Sequence, residues 1–200
     1  METIRYTKMD RQKIINMLIH RGILAFPTDT VFGLGCIMDE EAMRKVYEAK
    51  DRDRDKPLPM MCCDLEMISR VAYVNGSARK IINRFVPGPL TLILKKREEV
   101  SDFVTQGKET IGIRVPDDDF ILSLIRELDH PLMVTSANIS GNGSLLKWED
   151  VLFCMDGRID GIVCEDARGQ KASTIVDLTG EPKILREGPI SMREIEEVLK

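Results

Sequence analysis

Two hundred residues, 43% hydrophobic and 31% charged, suit one globular domain with a sizeable core. A net charge of −4 argues against a protein that holds nucleic acid through a uniformly basic surface. The polar N-terminus and the lack of a long apolar run predict a cytoplasmic chain without membrane contact. Five cysteines without a C-x-x-C pair, and only two histidines, read as small core hydrophobes of a reduced protein rather than a zinc site.

The first predicted element is a helix capped by Thr7 or Asp10, with Ile14, Ile15, Leu18 and Ile19 as its stripe and Gly22 as its stop. Ile23 to Phe26 reads as a strand buried on both faces, ended by Pro27. Val31 to Ile37 is a further apolar run, and its two glycines suggest close backbone approach or a bend. Asp39 caps a helix to about Glu48. The run 50–56 alternates bases and acids; if extended, it would put the bases on one side and the acids on the other. A short strand (59–63) and two helices (64–73 and 75–85) follow.

Beyond the rigid turn Pro87-Gly88-Pro89, strands are predicted at 90–94 and 111–115, separated by a poorly patterned stretch. A helix at 117–128 leads to a strand at 131–134 and a polar loop at 135–143. A short helix (148–153), strands at 161–164, 173–178 and 183–186, and a helix opened by the Ser191-x-x-Glu194 capping box complete the chain. Interspersed helices and strands predict an α/β fold. No clear helix joins the strands at 90 and 111, so a mixed sheet is expected rather than a purely parallel one.

Polar clusters follow directly on these strands. They are Thr28-Asp29-Thr30, Arg114, Thr135-Ser136-Ala137-Asn138 and Arg186. Strand ends are where α/β sheets bind ligands, although the same residue types also cap helices and close turns. No P-loop, dinucleotide fingerprint or G-x-S-x-G elbow is present, and neither histidine stands where a general base is needed. A reaction run by positioning and cationic charge suits this inventory.

Taken together, the segments Pro27–Gly35, Lys50-x-Arg52, Pro57-Leu58, Pro87–Thr91, Ile113–Pro116, Thr135–Gly141, Ser173–Asp177 and Leu185–Gly188 resemble the YrdC/TsaC family of L-threonylcarbamoyladenylate synthases. The resemblance spans about residues 8–190. It implies a twisted mixed sheet flanked by helices around a deep concave cavity, in one domain over 1–200, like the short form of the family. It further implies condensation of L-threonine, bicarbonate and ATP to threonylcarbamoyl-AMP and pyrophosphate, with Mg²⁺ accompanying ATP. A separate tRNA threonylcarbamoyltransferase machinery would use the product on an adenosine beside the anticodon, with weak direct tRNA contact left open.

The family's Lys-x-Arg and Ser-x-Asn pairs fall on Lys50, Arg52, Ser136 and Asn138, which the resemblance assigns to catalysis and ATP. Ser173 and Arg186 join the ATP side, and Thr28, Thr30 and Arg114 the threonine side; no protein metal site is implied. Asp29, Phe32, Asp53 and Ala172 depart from the family's frequent Glu, Tyr, Pro and Pro. The alternatives are a YciO-like paralogue of the same fold without this activity, or a nucleotide- or RNA-binding module.

Overall fold

A computed structural model describes residues 2–200. Strand β1 (Ile4–Tyr6) and a 3₁₀ turn (Lys8–Asp10) precede helix α1 (Arg11–Ile19). The turn opens on Thr7, whose N–H and hydroxyl both donate to the Asp10 carboxylate while the Asp10 N–H donates to the Thr7 carbonyl. Helix α1 buries Ile14, Ile15 and Leu18, three positions of its predicted stripe. Its predicted stop is one residue off. Arg21, not Gly22, takes the left-handed conformation (φ 63°), and the Gly22 N–H reaches the Met17 carbonyl. This is a Schellman ending with glycine one place beyond the turn.

Strands β2 (Leu24–Phe26) and β3 (Gly33–Ile37) form an antiparallel pair. A Cβ on Gly35 would meet the Phe26 ring and the Val134 methyl at 3.0 Å, so the bare backbone admits that ring. Helix α2 (Glu40–Ala49) starts on the Asp39 carboxylate, which accepts from Glu41 and Ala42 N–H. Strand β4 is only Met60–Met61. Helices α3 (Leu65–Val71) and α4 (Gly76–Phe85) are capped by Asp64 and Asn75.

Strand β5 (Leu90–Lys95), the short helix α5 (Asp102–Thr105), strand β6 (Thr110–Arg114), helix α6 (Asp119–Leu128) and strand β7 (Leu132–Ser136) follow. Helix α7 (Trp148–Met155), strands β8 (Gly161–Val163), β9 (Thr174–Asp177) and β10 (Lys183–Arg186), and helix α8 (Met192–Leu199) complete the order. The Ser191–Glu194 capping box forms as the spacing predicts.

The ten strands make one sheet in the order β1-β8-β2-β3-β7-β4-β6-β5-β9-β10. It is mixed, as expected: β5 runs antiparallel to β6 but parallel to β9. Side chains alternate faces along each strand. Leu90, Leu92, Leu94, Ile111, Ile113 and Val176 are buried on one face, and Thr91, Ile93, Gly112, Arg114 and Ile175 face the other. That second face forms the floor of a cavity.

Strand β1 had no counterpart among the predicted elements. It has three residues, of which only Tyr6 is buried, and it is recruited to the sheet edge by parallel pairing with β8. Three of the five cysteines, at 36, 62 and 63, are buried as expected, whereas Cys154 is exposed. Burial pushes the Cys36 and Cys62 thiols well up. Among the described residues no helix is long and apolar enough to cross a membrane.

Candidate active site

The cavity has a volume of about 500 Å³. Its floor comes from the central strands, and its rim from the segment 28–33, the turn after α2, and the loops before β9 and at β10. Of the residues singled out in the sequence, Thr28, Thr30, Arg52, Arg114, Ser136, Ser173 and Arg186 line it. Lys50 and Asn138 lie behind the wall instead.

Arg114 is 7% exposed and makes one hydrogen bond from each of its three nitrogens. It donates to Asp29 Oδ1 and to Thr30 Oγ1, each at 2.6 Å, and to the Gly88 carbonyl at 3.2 Å. Burial lowers its pKa, and the Asp29 carboxylate works against that fall. Such a guanidinium stays charged. The threonine hydroxyls support it: the Thr28 hydroxyl donates to the Val31 carbonyl and lies 3.0 Å from Thr30 Oγ1. Both threonines are 1% exposed, and Thr28 Oγ1 is filled by the Thr30 N–H and hydroxyl, so what the pair gives the site is chiefly a fixed Arg114.

The loop before β9 closes over this segment. The Arg168 N–H donates to the Thr28 carbonyl, and its guanidinium reaches Asp118 and the Asp117 carbonyl. Gly169 lies directly on Thr30 and the Asp29 carbonyl, where a Cβ would collide with backbone atoms. On the opposite wall, Arg186 donates to the Ser173 carbonyl at 2.8 and 3.0 Å, and Ser173 and Thr91 share a 2.8 Å hydroxyl bond.

The alternating run 50–56 is not extended, which corrects the two-faced reading of it. Lys50 ends α2 in a helical conformation, Asp51 is left-handed (φ 50°), and the chain turns. Each base therefore has its own surroundings. Arg52 faces the cavity while donating to the Lys56 and Pro57 carbonyls. Arg54 pairs with Glu48 at the surface.

Lys50 is 1% exposed, and its ammonium donates to the backbone carbonyls of Ser136 and Asn138. The Lys50 carbonyl in turn accepts from the Ser140 N–H. Burial, then the nearby Arg52 cation, brings the Lys50 pKa down to about 8. In this geometry Lys50 holds the 136–140 turn, and Arg52 is the member of the pair that faces the cavity. Asn138 donates to the Ile139 and Asn142 carbonyls, while its Oδ1 is buried without a partner.

Lys108, Thr110 and Ser144 also line the wall and carry no sequence signal of their own, and Asp177, although inside the segment Ser173–Asp177, is not singled out by sequence as a site residue. Thr110 could have been found by stepping two residues at a time along β6 from Arg114, and Asp177 by stepping along β9 from Ser173. The wall thus carries Arg52, Lys108, Arg114 and Arg186 against one carboxylate, Asp177. It is a cationic, hydroxyl-rich pocket in an acidic protein, suited to a small polyanion.

The chain matches the Sua5/YciO/YrdC family profile, described as "Telomere recombination", over residues 16–188. Threonylcarbamoyl-AMP synthase of Bacillus subtilis is 41% identical over 191 residues, 92% of this chain and 54% of that protein. The uncharacterized protein YciO of Escherichia coli is 31% identical over 186 residues, 89% of this chain and 90% of that one. Pyrococcus abyssi Sua5 complexed with L-threonine superposes with a TM-score of 0.91 at 34% identity, covering 99% of this chain and 60% of that one. This chain spans about half the length of the Bacillus subtilis and Pyrococcus abyssi synthases it matches. The profile and the near-complete coverage by these relatives establish that the chain belongs to the Sua5/YciO/YrdC family.

Proposed function

We propose that this chain is an L-threonylcarbamoyladenylate synthase. It would condense L-threonine, bicarbonate and ATP to threonylcarbamoyl-AMP and pyrophosphate, for tRNA threonylcarbamoyladenosine formation. The observation that carries this reading is the cationic cavity itself, with Arg52, Arg114 and Arg186 arranged around the hydroxyls of Thr28, Thr30, Ser136 and Ser173. The L-threonine complex of the similar Pyrococcus abyssi protein supports the amino-acid half of the reaction.

Condensation of the threonine amine with bicarbonate gives a carbamate and releases water. Its oxygen attacks the α-phosphorus, the bond from that phosphorus to the bridging oxygen breaks, and pyrophosphate leaves. Two anions must meet, so the protein's work is neutralisation and alignment. Arg114, already aimed by Asp29, Thr30 and Gly88, retains guanidinium protons for the threonine carboxylate. Arg52 and Arg186 would take phosphate oxygens and the charge that develops on pyrophosphate. Ser136 offers a hydroxyl at the end of β7, on the turn that Lys50 and Asn138 hold in shape. Magnesium enters with ATP as part of the substrate.

Coverage supports a second reading, a YciO-like protein without this activity. The chain covers 98% of the solved Escherichia coli YciO, with a TM-score of 0.85 at 27% identity. Pyrophosphate release from ATP separates the two. The synthase reading expects release that requires threonine and bicarbonate and falls sharply in Arg52→Ala and Ser136→Ala. Wild-type rates in Lys50→Ala, Arg52→Ala and Asn138→Ala together would show that the site is wrong.

A further inference from the structure

Asp177 is the one carboxylate on the cavity wall among the described residues, and the reading above gives it no task. Its Oδ1 accepts from the Thr179 N–H at 2.9 Å and the Thr179 hydroxyl at 2.6 Å. Its Oδ2 takes no hydrogen bond from the described residues. Lys183 stands opposite it across β9 and β10 without forming an ion pair with it among the described residues. A fixed carboxylate with one oxygen unused, in a pocket otherwise cationic, is an acceptor waiting for an N–H donor.

The floor around it is apolar and flat. Ile93 is the register partner of both Gly112 and Asp177, so these three form one row across the sheet. Gly112 leaves that row without a side chain; a Cβ there would already touch Ile93 at 3.3 Å and Pro59 at 3.8 Å. Ile175 and Leu185 continue the apolar lining. The arginine side begins two residues further along β6, at Arg114, a step of about 7 Å. A polyphosphate is drawn to that side and repelled by Asp177. A planar, apolar-faced group bearing an exocyclic N–H suits the Asp177 side.

We propose that a bound purine turns its C6 edge to Asp177, whose free carboxylate oxygen accepts from the 6-amino group of adenine and so favours adenine over guanine nucleotides. This rests on the reading of ATP as substrate. Guanine presents a carbonyl oxygen at the corresponding ring position, and two acceptors facing one another repel.

Magnesium-free titration calorimetry with ATP, GTP and purine riboside 5′-triphosphate, which lacks the amine, tests this. The wild type should bind ATP about tenfold or more tighter than either analogue. Asp177→Asn keeps an acceptor for Thr179 but can turn an N–H₂ toward the base. It should bring ATP and GTP within about threefold of each other, with threonine affinity unchanged. The wild-type analogue series stands even where the variant folds poorly. Three results would each overturn the assignment: equal wild-type affinity for the three nucleotides, an unaltered preference in Asp177→Asn, or a variant effect seen only on threonine. Wild-type binding of threonine but of no nucleotide would instead overturn the ATP reading on which the assignment rests.

Discussion

Removing the Arg114 guanidinium tests whether the buried Asp29–Arg114 pair frames the threonine side of the cavity. The two side chains are 11% and 7% exposed and meet at 2.6 Å. In Arg114→Met the apolar volume is roughly kept, but the Asp29 carboxylate is left in the wall without its cation. Losing one partner of a buried pair costs about 3–5 kcal/mol. At 2–4 °C per kcal/mol for a chain of this size, Tm should fall by roughly 6–20 °C.

Replacing both partners by neutral groups removes the orphaned charge, so adding Asp29→Asn should return much of the loss. The coupling energy between the two sites should exceed about 1 kcal/mol. Arg114→Lys keeps the charge but cannot reach Asp29, Thr30 and Gly88 at once, and should lie between wild type and Arg114→Met. Thermal unfolding followed by circular dichroism at neutral pH reads all of these. A Tm change under about 2 °C in Arg114→Met, or no recovery in the double variant, would refute the reasoning, because either would mean the pair carries no net load.

Gly169→Ala forces a methyl into Thr30 and the Asp29 carbonyl. It should cost about 1–3 kcal/mol and weaken threonine binding, read by chemical denaturation and calorimetry. Ser191→Ala removes the N-cap of α8, which does not line the cavity, and should lower stability by about 1 kcal/mol while leaving pyrophosphate release unchanged. Iodoacetamide under native conditions at pH 8 should modify exposed Cys154 first. Cys36 and Cys62, buried and with raised pKa, should react only on unfolding, as peptide mass mapping would show.

Much of the architecture is legible from residue pattern. Ile23–Phe26 and Leu90–Leu94 read as buried strands because burial on the sheet demands apolar runs, and α2, α3, α4 and α8 announce themselves by caps that form as the spacing requires. What fails is what pattern does not encode. Strand β1 exists through a partner more than 150 residues away, and only one of its three side chains is buried. The shape of 50–56 is set by Asp51 entering the left-handed region and by Lys50 finding two carbonyls across the fold, neither of which alternating charge predicts. The site divides in the same way. Arg114, Ser136, Ser173 and Arg186 stand at strand ends where chain order already pointed. Whether a cation faces the cavity, like Arg52, or the turn behind it, like Lys50, is decided by a single turn of backbone. Lys108 escapes notice because a lone charge on a loop is most often solvated, and Asp177, though inside a recognised segment, is seen to face the cavity only from its register with Ile93.

The most direct test of the synthase reading is mass-spectrometric analysis of a reaction holding the purified chain, ATP, magnesium, L-threonine and isotopically labelled bicarbonate. The account predicts threonylcarbamoyl-AMP carrying the labelled carbon, with an equal amount of pyrophosphate, and none of this product when threonine or bicarbonate is omitted. Binding of ATP and threonine without that product, under conditions where the Bacillus subtilis synthase forms it, would contradict the reading and favour the YciO-like alternative.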